Sequence, residues 1–158
     1  MRFVIYMILA GAMLIPGSLE WHSSLGPCGR IMTHHFFHGN WMHLAVNCLS
    51  VWYIFRRWSA REMILAWMIA SGSYLLSPVP AIGFSNMIFA TIGLRTPTFD
   101  SSWWRSPSVI IFIAMTLLMC LLPNVSSVTH IASFVFGTIF SGIIRFFRQV
   151  HKDGQRYV

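Results

Sequence analysis

Charge is scarce in this chain, and acid is the scarcest part of it. Only 9% of the 158 residues are Asp, Glu, Lys or Arg, and just four are acidic. So few ions cannot cover the surface of a water-soluble fold. With 56% hydrophobic residues and a mean hydropathy of +0.64, the chain belongs in a bilayer, as one integral domain. Cysteine is sparse as well. Cys28 lies in a loop while Cys48 and Cys120 lie inside apolar runs, which leaves neither a disulfide framework nor a zinc-finger spacing. The formal charge of +7 does not signal nucleic-acid binding, because the basic residues are dispersed between apolar runs instead of forming a stripe with aromatics.

Long uninterrupted apolar runs are also missing. Six shorter stretches take their place, approximately 3–16, 41–56, 63–77, 85–94, 108–122 and 127–144. Most fall short of the roughly 20 residues that a perpendicular helix needs to cross the hydrocarbon core, so the bilayer is expected to thin locally or the helices to begin below its surface. The fourth is the extreme case, since ten residues rise only about 15 Å. The proline-broken stretch Pro78-Val79-Pro80-Ala81-Ile82-Gly83-Phe84 precedes it and reads as a loop dipping into the membrane. Counting Lys and Arg fixes an expected orientation. Arg2, Arg56, Arg57, Arg61, Arg95, Arg105, Arg145, Arg148, Lys152 and Arg156 fall on one side and only Arg30 on the other, which predicts six spans with both termini in the cytoplasm, as in a bacterial inner (cell) membrane. The competing reading of residues 1–17 is a cleaved signal peptide. It is disfavoured because Pro16-Gly17-Ser18-Leu19 lacks a small-x-small cleavage pattern.

Polar side chains at the starts of these stretches carry the chemistry. In this topology spans two, four and six all begin on the outer side, and their first turns hold His43 and Asn47, Ser85, and His130. A hydroxyl nucleophile needs an adjacent base, and a membrane interior is a costly place to keep either. His43 and Asn47, four apart, share a helical face, and with the backbone N–H of Ser85 at a helix start they form a donor set for the oxyanion of peptide hydrolysis. Of the four acids, Glu62, Asp100 and Asp153 fall on the cytoplasmic side and only Glu20 on the outer side. The reading is therefore a Ser-His dyad, with His130 oriented by packing against Phe89.

Arg30, Thr33-His34, His38 and His43-Leu44-Ala45-Val46-Asn47 resemble the rhomboid pattern of a first-loop arginine followed by His-x4-His-x3-Asn. Gly83-Phe84-Ser85 is similar to the family's Gly-x-Ser motif, and His130 in Thr129-His130-Ile131-Ala132 to its final-helix histidine. The resemblance spans roughly residues 20–145 and implies an all-α, polytopic six-helix membrane bundle and an intramembrane serine protease. Ser85 would be the nucleophile and His130 the base, with His43, Asn47 and the Ser85 N–H forming the oxyanion hole. It also implies a partly submerged first loop (17–40), no cofactor, and substrates that are single-span transmembrane-helix proteins cut near the outer face.

Four positions depart from that pattern. Asn86 stands where a second glycine follows the serine, Phe89 replaces a tyrosine, Ser133 replaces the first glycine of a Gly-x3-Gly, and Gly29 replaces the tryptophan of a Trp-Arg pair. Ser133-x3-Gly137 still permits close helix packing. His34 and His38 read as loop histidines that hydrogen-bond backbone, and a metal role for His34, His35 and His38 is disfavoured because no acidic ligand accompanies them. Two other functions compete: a catalytically inactive rhomboid-like protein that binds client helices, and a haem protein with His43 and His130 as axial ligands.

Overall fold

The structure, a computed structural model, describes residues 22–54, 59–77, 82–96 and 126–155, with isolated positions at 7, 8, 12, 14, 15, 105, 107, 110 and 114. The expected spans 3–16 and 108–122 therefore lie largely outside the described residues. So do Pro78–Ala81, Glu20, Asp100 and Cys120.

All regular structure among the described residues is helical. In chain order it comprises α1 (Pro27–Thr33), a 3-10 turn (His34–Phe36), α2 (Trp41–Ile54), α3 (Ala60–Tyr74), α4 (Ser85–Arg95) and α5 (Ser127–Gly154). One helix among the described residues, over Ser127–Asp153, is long and apolar enough to cross a membrane.

Local chemistry sets the helix starts. Pro27 opens α1, where a missing N–H costs nothing. The Asn40 side chain accepts the His43 N–H at 2.8 Å and so caps α2. At α3, Ser59 and Glu62 form a capping box: the Ser59 hydroxyl accepts the Glu62 N–H, and the Glu62 carboxylate accepts the Ser59 N–H. No side chain caps α4. The last helix runs ten residues past the apolar stretch that ends at 144, because nothing breaks it before Gly154.

α4 is the central element. Asn86, Met87, Ile88, Ala90, Thr91, Ile92 and Gly93 are all buried in it, and α3 and α5 pack against it and against each other. The core joins Leu44 and Val51 of α2, Ala66 and Ala70 of α3, and Phe84, Met87, Ile88, Ala90 and Ile92. α4 and α5 run parallel, with Ser85 beside His130 at one end and Gly93 beside Gly137 further along. Their main chains touch at these glycines: a Cβ at either would overlap a carbonyl oxygen of the other helix, Phe134 O or Ala90 O. α3 runs the opposite way. Its first-turn Glu62 meets Arg95, the last residue of α4, in a two-bond ion pair, with Arg95 Nε to Oε1 at 2.8 Å and Nη2 to Oε2 at 3.1 Å.

Candidate active site

Ser85 is the first residue of α4, so its N–H has no carbonyl one turn earlier to bond. The preceding residue but one, Gly83, has φ of +124°, a region that side chains avoid. Glycine is needed there for a second reason. A Cβ would lie 2.6 Å from Cε1 and 2.7 Å from Nε2 of the His43 ring. The turn thus brings the backbone against α2, with Asn47 Nδ2 3.6 Å from the same point.

The Ser85 hydroxyl lies 2.8 Å from His130 Nε2. Both residues are half-buried. The Phe89 ring stacks on the imidazole, with centroids 4.9 Å apart and planes 23° apart, so one face of the histidine is fixed by packing. His130 Nδ1 is buried and has no hydrogen-bond partner among the described residues. Among the described residues, a hydroxyl therefore meets an imidazole that has no carboxylate on its second nitrogen.

The first loop holds this turn in place from outside. His34 O accepts the Gly83 N–H at 2.9 Å, His38 Nε2 accepts the Phe84 N–H at 3.4 Å, and His34 Nε2 meets Asn86 Nδ2 at 3.5 Å. His38 Nε2 also receives Asn47 Nδ2 at 2.9 Å. A backbone N–H can only donate, so Nε2 of His38 is an acceptor and the neutral ring carries its proton on Nδ1. The same constraint identifies the Asn47 atom facing His38 as the amide nitrogen. Burial, reinforced by neighbouring His43, pushes His38 down to about 4 and keeps it a neutral acceptor. Burial likewise brings His34 to about 4, against hydrogen bonding to backbone that would raise it.

Ser85, His130, His43 and Asn47 are therefore neighbours around one turn. His34 does bond loop backbone, through Nδ1 to Ile31 O at 2.9 Å. His38 bonds loop backbone too, at the Phe84 N–H, and in addition receives the Asn47 amide of α2. The Asn86 side chain, which stands where a second glycine would follow the serine, is directed at His34. The loop is anchored to α3 as well, by Trp67 Nε1 donating to Met32 O at 3.1 Å and by His35 Nε2 with Ser71 Oγ at 3.1 Å. Sequence reasoning missed the His38 and Asn86 contacts and the Glu62–Arg95 pair. The pair had a usable signal, for so few acids leave each cation few partners. Among the described residues, no group of three or more His, Cys, Asp or Glu side chains is arranged to hold a metal ion.

The order of these parts along the chain, first-loop histidines, His43 and Asn47, Gly83-Phe84-Ser85, then His130, can be set against known families. Residues 26–146, about three-quarters of the chain, match the rhomboid domain. The chain belongs to the rhomboid family. No curated protein matches it. The rhomboid match extends from the residue before α1 into α5, so it includes the first loop, Ser85 and His130. Rhomboids are membrane proteins, and the family includes serine proteases.

Proposed function

We propose that this rhomboid is an intramembrane serine endopeptidase with six spans and cytoplasmic termini, which cleaves single-span membrane proteins near the outer face. The contact of 2.8 Å between Ser85 Oγ and His130 Nε2 carries the reading, because it joins a nucleophile to a base across forty-five positions of an apolar chain. In this scheme Ser85 Oγ attacks the scissile carbonyl carbon while Nε2 takes its proton. The oxyanion is met by the Ser85 N–H, by His43 and by the Asn47 N–H that is not given to His38. Collapse of the intermediate breaks the C–N bond, and His130 returns the proton to the leaving amine. Water then attacks the acyl-enzyme by the same route, with His130 again as base. In this reading α2, α4 and α5 supply all four groups from near their starts.

The test is reconstitution in liposomes with a model single-span substrate. Ser85→Ala and His130→Ala are each expected to lower the rate on the order of 10⁴-fold or more. Cleavage that survives both substitutions would overturn the mechanism. A wild-type protein that cleaves nothing and takes no fluorophosphonate label at Ser85 would point to a binder of client helices instead.

A further inference from the structure

Once Nε2 of His130 faces the Ser85 hydroxyl as acceptor, the neutral ring must carry its proton on Nδ1. That nitrogen is buried and has no partner among the described residues. One turn further along α5, the Ser133 hydroxyl is in the complementary condition. Ser133 is fully buried, and its Oγ also has no partner among the described residues. Five other helical hydroxyls among the described residues show the alternative. Thr33, Ser50, Ser73, Thr91 and Thr138 each return their proton to the carbonyl four residues back, at 2.7 to 3.0 Å. Ser133 does not, so its lone pairs and its proton are both uncommitted.

Position completes the observation. His130, Ser133 and Gly137 follow one another along the stripe of α5 that faces α4, with His130 fixed by Ser85 and Gly137 by Ala90 and Gly93. Residues three apart on a helix have Cβ atoms about 5–6 Å apart, within reach of a side-chain rotation or a single bridging water. We propose that Ser133 is a positioning residue for His130: its hydroxyl accepts the Nδ1–H, directly or across one water, and holds the imidazole in the tautomer and orientation that the reaction needs. The role is the one a carboxylate fills in a three-residue serine hydrolase, carried here by a neutral group that a membrane interior tolerates. The inference rests on Ser85 and His130 being the working pair.

The experiment compares wild type, Ser133→Ala and Ser133→Gly in liposomes with a single-span substrate, measuring kcat, KM and the pH profile of kcat. Both variants are expected to lose about tenfold in kcat with KM unchanged, since the imidazole is less well oriented while the substrate site is intact. The acid limb of the profile should move to lower pH, because the imidazolium formed there has lost an acceptor. Should the glycine variant lose its fold, the alanine variant removes the hydroxyl without glycine's cost to the helix and carries the same reading. Wild-type kcat, or a lower kcat with an unmoved pH profile, overturns the assignment, the latter because it is what a packing role gives. If Ser85→Ala silences the enzyme and Ser133→Ala changes nothing, only this inference fails. Cleavage that survives Ser85→Ala removes the protease reading beneath it.

Discussion

Replacing Gly137 with alanine tests whether main-chain contact between α4 and α5 sets the reactive geometry. The new Cβ would overlap Ala90 O and lie 3.0 Å from Leu94 N and 3.1 Å from Gly93 Cα. All three are backbone atoms of a buried helix, so none can rotate aside. Restoring ordinary contact distances requires the helices to part by about 1 Å. His130 lies seven residues earlier on the same stripe, two turns or about 10 Å away, so the displacement is not dissipated before it reaches Ser85. A hydrogen bond of 2.8 Å cannot absorb a shift of that size and remain one. Overpacking of this kind costs about 1–3 kcal/mol of stability, and a misplacement of about 1 Å at a reacting pair costs about 100-fold in rate, equivalent to about 2.7 kcal/mol. Gly137→Val should be worse on both counts. The assay pairs initial cleavage rates in liposomes with thermal unfolding followed by tryptophan fluorescence. A Gly137→Ala enzyme with an unchanged Tm and full activity would refute the argument, because the helices would then have to tolerate a side chain where the structure has room for none.

Asn86→Gly should leave cleavage unchanged or raised. The side chain points to His34 through a long contact of 3.5 Å, and the substitution also removes a buried Oδ1 that has no partner among the described residues, so gain and loss offset to within about 1 kcal/mol. A loss of more than tenfold in kcat would show that the asparagine does more than brace the loop. For Glu62, burial alone would raise the carboxyl, but hydrogen bonds from Arg95 and Ser59 outweigh it and hold the group at about 2 against an ordinary 4.5. A depressed acid stabilises the fold above its unfolded value, so Glu62→Gln should cost on the order of 1 kcal/mol at neutral pH once solvent screening is allowed for. The gap from wild type should close as the pH falls from 4.5 through about 2. Denaturation of both proteins across that range measures it, and a gap independent of pH would refute the assigned cause.

The meeting of Ser85 and His130 is legible in the sequence because two features agree: apolar stretches that start where polar groups sit, and a Lys and Arg count that turns those starts toward one side. The ring of Phe89, one turn after Ser85, is placed by helical spacing alone. Hydropathy does not carry hydrogen-bond partners, and this is why the contacts of His38 with Asn47 and Phe84, and of His34 with Asn86, were not readable. An expectation of loop histidines bonding loop backbone describes His34 Nδ1 but gives no reason for a ring nitrogen to turn toward another helix. Gly137 is recognisable as one half of a small-residue seam, yet nothing in its neighbourhood names Gly93 as the facing half. The last helix likewise extends beyond the apolar stretch that marks it in the sequence. Apolar character stops near Arg145, whereas helix formation depends on backbone bonding and continues through charged residues to Gly154.

The bonds from the first loop to the turn before Ser85 also order events in time. They join Phe84 to His38 and Gly83 to His34, far apart in the chain, whereas each helix closes its own bonds four residues at a time. Helices therefore form early and loop docking late, since a long closure is entropically deferred until partners are in place. A newly inserted chain contains Ser85 and, once α5 has entered, His130, but the main chain ahead of the serine is not yet held and Asn47 has not been turned by His38. If the proposed protease reading holds, the reactive centre is a product of completed folding, and a half-assembled protein carries no finished site.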